Sequence, residues 1–372
     1  MTTTYLFFTF AFMVLMVSLS NCSVYGKNPE GEDLLRIQKS PQYDSEKQSF
    51  VNRIPNVLDE MKRNSTDLAL IKEFFFGSGN RVPNSKLPER KPPDLPGFLE
   101  PTDGIKFIWM GHSTLLINFQ NKILMVDPVL SGSASPFSFL VKRFQPPVLS
   151  INELPEIDIV LISHDHYDHL DMETISSFRD KKTKFITPLG VGSHLVSWGI
   201  TKDRIEEKDW WESLSTNDLK FTCTPAQHFS GRTGMDSGKT LWASWVIESE
   251  DKKIYFSGDS GYDIHFKEIG GKFGPIDLVF MENGQYNERW KEVHLLPRET
   301  SQAFLDVKGK VLVPIHWGMF ELSLHDWYEP VEESERYASE MGIELWTPEL
   351  GQVMELEKQN IITKWWKDLI GK

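Results

Sequence analysis

The chain has 372 residues, 40% of them hydrophobic and 25% charged, with a net charge of −13. This is globular composition, and the length allows one large α/β domain or two smaller ones. The acidic balance, with no Lys/Arg cluster to neutralise phosphates, argues against a nucleic-acid partner.

Residues 5–19, "YLFFTFAFMVLMVSL", form a continuous apolar run of 15. A spanning helix needs ~20 residues, so the run fits the apolar region of a signal peptide better. "LSNC" follows, and its small residues closing on Cys22 resemble a bacterial lipoprotein cleavage box. The expectation is export to a bacterial cell envelope and a membrane anchor through lipidated Cys22. An uncleaved N-terminal anchor is the alternative, because "MTTT" lacks a positive charge. With Cys22 lipidated, Cys223 has no partner for an intramolecular disulfide, and its setting "LKFTCTPAQH" reads as a buried strand thiol.

Residues 23–56 are polar and read as linker and surface coil. Residues 57–76 show helix-like apolar spacing in their second half, and 78–104 carry six prolines and read as an irregular arm. From residue 105, "IKFIWM", "STLLINF" and "KILMVD" follow one another like an antiparallel meander, with "QN" at 120–121 as a two-residue turn. Further apolar runs lie at 157–163, 183–187, 219–225, 241–249, 253–259, 276–281 and 310–317, with helical stretches at 172–179 and 298–306 among them. This pattern predicts one α/β domain with two layered sheets covered by helices.

Apolar runs end in metal-capable residues. "VLIS" leads to His164, His166, Asp168 and His169, "FTCTPAQ" to His228, "IYFSG" to Asp259 and "VLVPI" to His316. Ligands on loops over a rigid sheet are where catalytic groups commonly sit. Imidazole and carboxylate donors without thiolate suit zinc, manganese or iron. Seven donors exceed one tetrahedral ion and match two ions that keep a water. A lone histidine at such a place is an ordinary core residue, whereas four ligand types in six positions, 164–169, would crowd imidazoles at a cost for no structural return.

These blocks, in this order, resemble the metallo-β-lactamase superfamily. "WMGHSTLLI", "VDPVLSGSASP", "SHDHYDHLD", "DWWES", "TPAQHFSGRT", "FSGDSGY" and "IHWGMFELSLHDWYEP" are similar to the branch holding the N-acylphosphatidylethanolamine-hydrolysing phospholipase D and its bacterial relatives. The resemblance covers roughly residues 40–350. It implies an α/β fold of the αββα four-layer sandwich type; with the leader read above, the expected division is 1–22 signal peptide, 23–104 N-terminal extension and arm, and 105–372 hydrolase domain. It further implies two zinc ions per chain: His164, His166 and His228 at the first, Asp168, His169 and His316 at the second, Asp259 bridging. Asp168 and Asp259 would handle the nucleophile's proton, His294 would face the substrate, and His112 would support the ligands from behind. His194, His265 and His325 read as surface or packing residues. Trp210, Trp211, Phe229, Trp290 and Trp317 are aromatic candidates for an acyl-chain groove.

The expected activity is hydrolysis of a phospholipid-like phosphodiester. The same centre also suits a sugar-phosphate lactonase or amide hydrolase, and, further off, an iron-dependent oxidoreductase or an envelope metal-binding protein. "FMENGQYNERW" departs from the phospholipase pattern, so the wall of the pocket is expected to differ there.

Overall fold

The computed structural model describes residues 23–371, apart from 66–69, 71, 74–76, 78, 92 and 217. Cys22 and the apolar run before it lie outside the described residues, as does much of the second half of 57–76.

Two seven-stranded sheets form the framework. The first contains β3 (Ile105–Trp109), β4 (Leu115–Phe119), β5 (Lys122–Val126), β6 (Ile159–Leu161), β7 (Lys184–Pro188), β8 (Ile205–Lys208) and β16 (Val353–Glu355), in the order β16-β3-β4-β5-β6-β7-β8. The second contains β9 (Ser213–Ser215), β10 (Lys220–Thr224), β11 (Ser244–Glu248), β12 (Lys253–Phe256), β13 (Ile276–Glu282), β14 (Gly309–Ile315) and β15 (Glu344–Leu345), ordered β15-β14-β13-β12-β11-β10-β9. Each sheet is antiparallel over its first hairpins and parallel thereafter, as β5 pairs in parallel with β6 and β12 with β13. The β4–β5 turn is Gln120-Asn121, both at positive φ, the two-residue geometry that matches strand twist.

The strands of the second sheet alternate between two cores, which is why they read as unbroken apolar runs. Trp245, Ile247, Ile254, Phe256, Leu278, Phe280, Val311 and Val313 enter the core shared with the first sheet. Val246, Tyr255, Val279, Met281 and Leu312 face outward, under the helices His265–Phe273 and Pro297–Asp306. Across the seam Phe107 meets Phe280 edge-on with ring centres 5.0 Å apart. The indole N–H of Trp245 donates to the Ile162 carbonyl at 2.9 Å. This is the αββα sandwich, and it turns the C-terminal ends of β6, β12, β13 and β14 toward one rim.

Two readings of the N-terminal part need correction. Residues 23–56 are not surface coil: they hold a helix, Gly31–Ile37, and a small hairpin of β1 (Tyr43–Asp44) and β2 (Ser49–Phe50), with Ile37 and Phe50 buried. Their anchorage runs largely through backbone carbonyls, those of Ser23 and Val24 accepting from Trp198 and Arg232 at 2.6 and 2.9 Å, which composition does not display. The proline-rich arm also contains a short helix, Leu95–Leu99, whose Pro96 lies in the first turn where proline is tolerated. Cys223 is a buried thiol on β10, and burial pushes its pKa well up.

Candidate metal centre

The loop after β6 carries His164, His166, Asp168 and His169, and the second sheet brings His228, Asp259 and His316 against it. Local backbone explains the convergence. His316, directly after β14, has φ of 68°, and Asp127, directly after β5, has φ of 40°, so both strands turn sharply at the rim. Gly258 in "SGDSG" is also left-handed, and a Cβ there would lie 2.8 Å from that of Ser163. Only glycine lets the β12 turn approach the β6 loop this closely.

All seven predicted donors come together in two groups. His164 Nε2 and His228 Nε2 lie 3.0 and 3.2 Å from His166 Nδ1. Asp168 Oδ2 lies 3.5 Å from His169 Nε2 and 3.3 Å from His316 Nε2. Asp259 sits between the groups: Oδ2 is 3.8 Å from His164, 3.7 Å from His228 and 3.1 Å from His316, and Oδ1 is 3.2 Å from His169.

Outward-facing ring nitrogens are held by acceptors. His169 Nδ1 contacts Asp127 Oδ2 at 2.7 Å, His228 Nδ1 the Val293 carbonyl at 3.0 Å, and His316 Nδ1 the Gly284 carbonyl at 3.2 Å. In neutral rings each outer bond takes the only N–H, so each Nε2 lone pair points inward. His169 Nε2 and Asp259 Oδ1 are buried and lack a hydrogen-bond partner among the described residues. Converging lone pairs, an orphaned nitrogen and an orphaned carboxylate oxygen fit divalent cations.

Electrostatics agree. Burial disfavours charge on His316, yet Asp259 and Asp168 outweigh it and lift the ring to about 10. His169 is raised well above its ordinary value by the same carboxylates, again against burial. Burial and the neighbouring imidazoles push His164 well down. The pocket's carboxylates thus favour positive charge on the groups beside them.

His112 lies behind the second group, its Nε2 2.9 Å from Asp168 Oδ2. Burial first, then His316, pushes its pKa to about 3, so the neutral ring donates to Asp168. His294 is at the mouth, its ring centre 5.0 Å from that of His228 and its Nδ1 2.9 Å from Glu282 Oε2. A cavity of about 350 Å³ opens above the cluster, with Met61, Phe229, Trp290, Val293 and Leu322 as its apolar lining.

Three aromatic candidates lie elsewhere. Trp210 is buried and donates to the Trp242 carbonyl, Trp211 stands beneath Lys272, and Trp317 stacks between Trp109 and Trp365. His194 and His265 are buried rather than on the surface, His194 contacting Asp165 at 3.2 Å and His265 packing on Phe266. His325 accepts from the Gln285 backbone N–H at 3.1 Å. Sequence reasoning missed Asp127 and Glu282, although each ends an apolar run in the manner that singled out the seven donors.

A beta-lactamase superfamily domain matches residues 122–317. The chain therefore belongs to the metallo-β-lactamase superfamily and is a metal-dependent hydrolase of that family. It is 34% identical to the N-acyl-phosphatidylethanolamine-hydrolyzing phospholipase D 1 of Caenorhabditis elegans over 239 residues, 60% of this chain and 67% of that protein. It is 49% identical to the outer membrane protein RomA of Klebsiella pneumoniae over 104 residues, 28% of this chain and 78% of that one. Among solved structures, the metallo hydrolase Igni18 of Ignicoccus hospitalis shares the fold, with a TM-score of 0.53 at 18% identity over 68% of this chain and 99% of that one.

Proposed function

We propose that the chain is a dinuclear, zinc-dependent phosphodiesterase of the phospholipase D type, cleaving N-acylphosphatidylethanolamine-like lipids to phosphatidate and an N-acyl alcohol. The observation that carries this reading is the apolar cavity standing directly over the seven donors. A site that meets an acyl chain and an anionic phosphodiester needs this pairing of greasy wall and cationic floor. The moderate identity to a nematode phospholipase D supports the same class.

His164, His166 and His228 would hold one ion, Asp168, His169 and His316 the other, and Asp259 both. When bound, such ions would polarise a phosphoryl oxygen and lower the pKa of a nearby water toward ~7. Asp168 is the more open carboxylate, its side chain 13% exposed against 2% for Asp259. It is the group to take the attacking water's proton and return it to the leaving alkoxide. His112 keeps Asp168 oriented through the 2.9 Å bond. Asp259 stays fixed between the two donor groups, and His294 meets the substrate at the mouth. Phe229, Trp290 and Leu322 exclude water around the acyl chain.

The apolar run 5–19 and Cys22 extend the proposal to an exported, lipid-anchored protein of a bacterial envelope, a setting consistent with the outer membrane protein among its relatives. A tether of that kind keeps the cavity beside its lipid.

Metal analysis of active protein, followed by an assay on N-acylphosphatidylethanolamine in mixed micelles, tests the reading. Two equivalents of transition metal, chiefly zinc, and release of phosphatidate are expected. Full activity with one equivalent or fewer would sink the dinuclear centre. Inertness toward the lipid with opening of a sugar-phosphate lactone would move the substrate to the alternative.

A further inference from the structure

Glu282 closes β13 in a wholly buried position and, among the described residues, contacts no lysine or arginine, although it lies beside the catalytic cavity. Its two oxygens are engaged separately. Oε1 accepts from the Leu295 backbone N–H at 2.6 Å, and Oε2 takes His294 Nδ1 at 2.9 Å, with His316 Nδ1 farther off at 3.5 Å. Its backbone is fixed as well, N–H donating to Ser257 Oγ at 2.8 Å and the carbonyl accepting from Thr300 Oγ1 at 3.0 Å.

A carboxylate that accepts from a backbone N–H on one oxygen presents a fixed acceptor on the other. Facing an ionised Glu282, a neutral imidazole at His294 would carry its hydrogen on Nδ1 and leave Nε2 a bare lone pair. The ring lines the cavity, so that edge faces the space a substrate would enter. We propose that Glu282 is a positioning residue that fixes His294 as a hydrogen-bond acceptor, so that the site selects a substrate presenting an N–H or O–H donor close to the scissile bond. In the lipid class proposed above, on which this inference rests, the donor is the amide N–H of the N-acylethanolamine group.

The proton position is read directly by NMR of the full, zinc-loaded chain with 15N-labelled histidine, the His294 signals being assigned by their loss in His294→Phe. A proton on Nδ1 and a bare Nε2 are expected, and a proton on Nε2 would overturn the proposal. In Glu282→Gln one acceptor oxygen must serve both Leu295 and His294, so the Nδ1–H preference should weaken; an unchanged ring sinks the role of Glu282. Selection is read by comparing N-acylphosphatidylethanolamine with its N-methylated analogue. Wild type should lose about ten-fold in kcat/KM on the methylated lipid, mostly through KM, the worth of one hydrogen bond. His294→Phe should treat the two lipids alike. Equal use of both lipids by wild type, or discrimination that survives in His294→Phe, overturns donor selection. Cleavage of neither lipid instead removes the phospholipase reading, and the NMR result still decides the arrangement of Glu282 and His294.

Discussion

Asn52 grips the backbone of His228 from both sides: its Nδ2–H donates to the His228 carbonyl at 2.8 Å, and its Oδ1 accepts the His228 N–H at 3.1 Å. The N-terminal extension thereby reaches a proposed metal ligand it does not itself supply. Outer partners of ligands typically matter 10–100-fold in metal affinity. Asn52→Ala is expected to weaken the first ion about 10-fold, seen in a competition titration with a chromophoric chelator, while the second ion is held as before.

Among the described residues, Asp259 is the side chain whose oxygens approach donors of both groups. Asp259→Ala should abolish turnover and reduce bound metal below two equivalents. Elemental analysis beside a far-ultraviolet circular dichroism spectrum separates this from unfolding, since much of the fold should persist. Retention of two ions and of activity would refute the bridge.

Asp127 has no place in the donor set yet holds His169 Nδ1 at 2.7 Å and the Ser163 backbone N–H at 2.7 Å. Asp127→Asn keeps the volume and removes the charge. Its outcome should be a loss of about 10–100-fold in affinity for the second ion, measured by dialysis against buffered zinc.

Trp290 and Phe229 line the cavity without a polar role toward the seven donors. Trimming Trp290 to Ala removes apolar contact with an acyl chain, worth roughly 1–2 kcal/mol for partial burial. KM for a long-chain lipid should rise about ten-fold or somewhat more, with kcat changed less and a short-chain substrate scarcely affected. An equal effect on both chain lengths would place the acyl chain elsewhere.

Anchoring has its own test. Cys22→Ser should release the protein from the membrane fraction and remove the mass of the attached lipid. One acyl chain binds only marginally, so a stable anchor implies multiple acylation. Unchanged fractionation and mass would return the apolar run to an uncleaved anchor.

The strands, and the seven candidate donors that the fold brings together, were legible because both carry local signals: apolar runs of strand length, and ligand-type residues where those runs stop. The Gln120-Asn121 turn was readable for the same reason. Asp127 and Glu282 escaped because one buried carboxylate looks like any other until its partner, His169 or His294, is brought to it by the fold. The packing of residues 23–56 escaped because it depends on carbonyls and on Asn52, which carry no pattern. Trp210 and Trp211 pack elsewhere, and Trp317, although it follows His316 directly, turns its ring away to stack between Trp109 and Trp365. For His194 the sequence left surface and packing both open; packing is what the fold shows, with Asp165, 29 positions away, as its partner.

The first sheet contributes four of the seven donors through the loop after β6, and the second contributes the other three after β10, β12 and β14. Neither sheet owns a complete set for either ion. Cations at this rim would act as rivets across the seam between two layers that otherwise adhere through side-chain packing and a few hydrogen bonds, such as Trp245 to the Ile162 carbonyl. Ligation would favour the docked sheets over separated ones by RT ln(1 + [metal]/Kd), so the resistance of this sandwich to heat would follow the free zinc around it. A cell compartment poor in zinc would then leave the enzyme not only idle but easier to pull apart and digest.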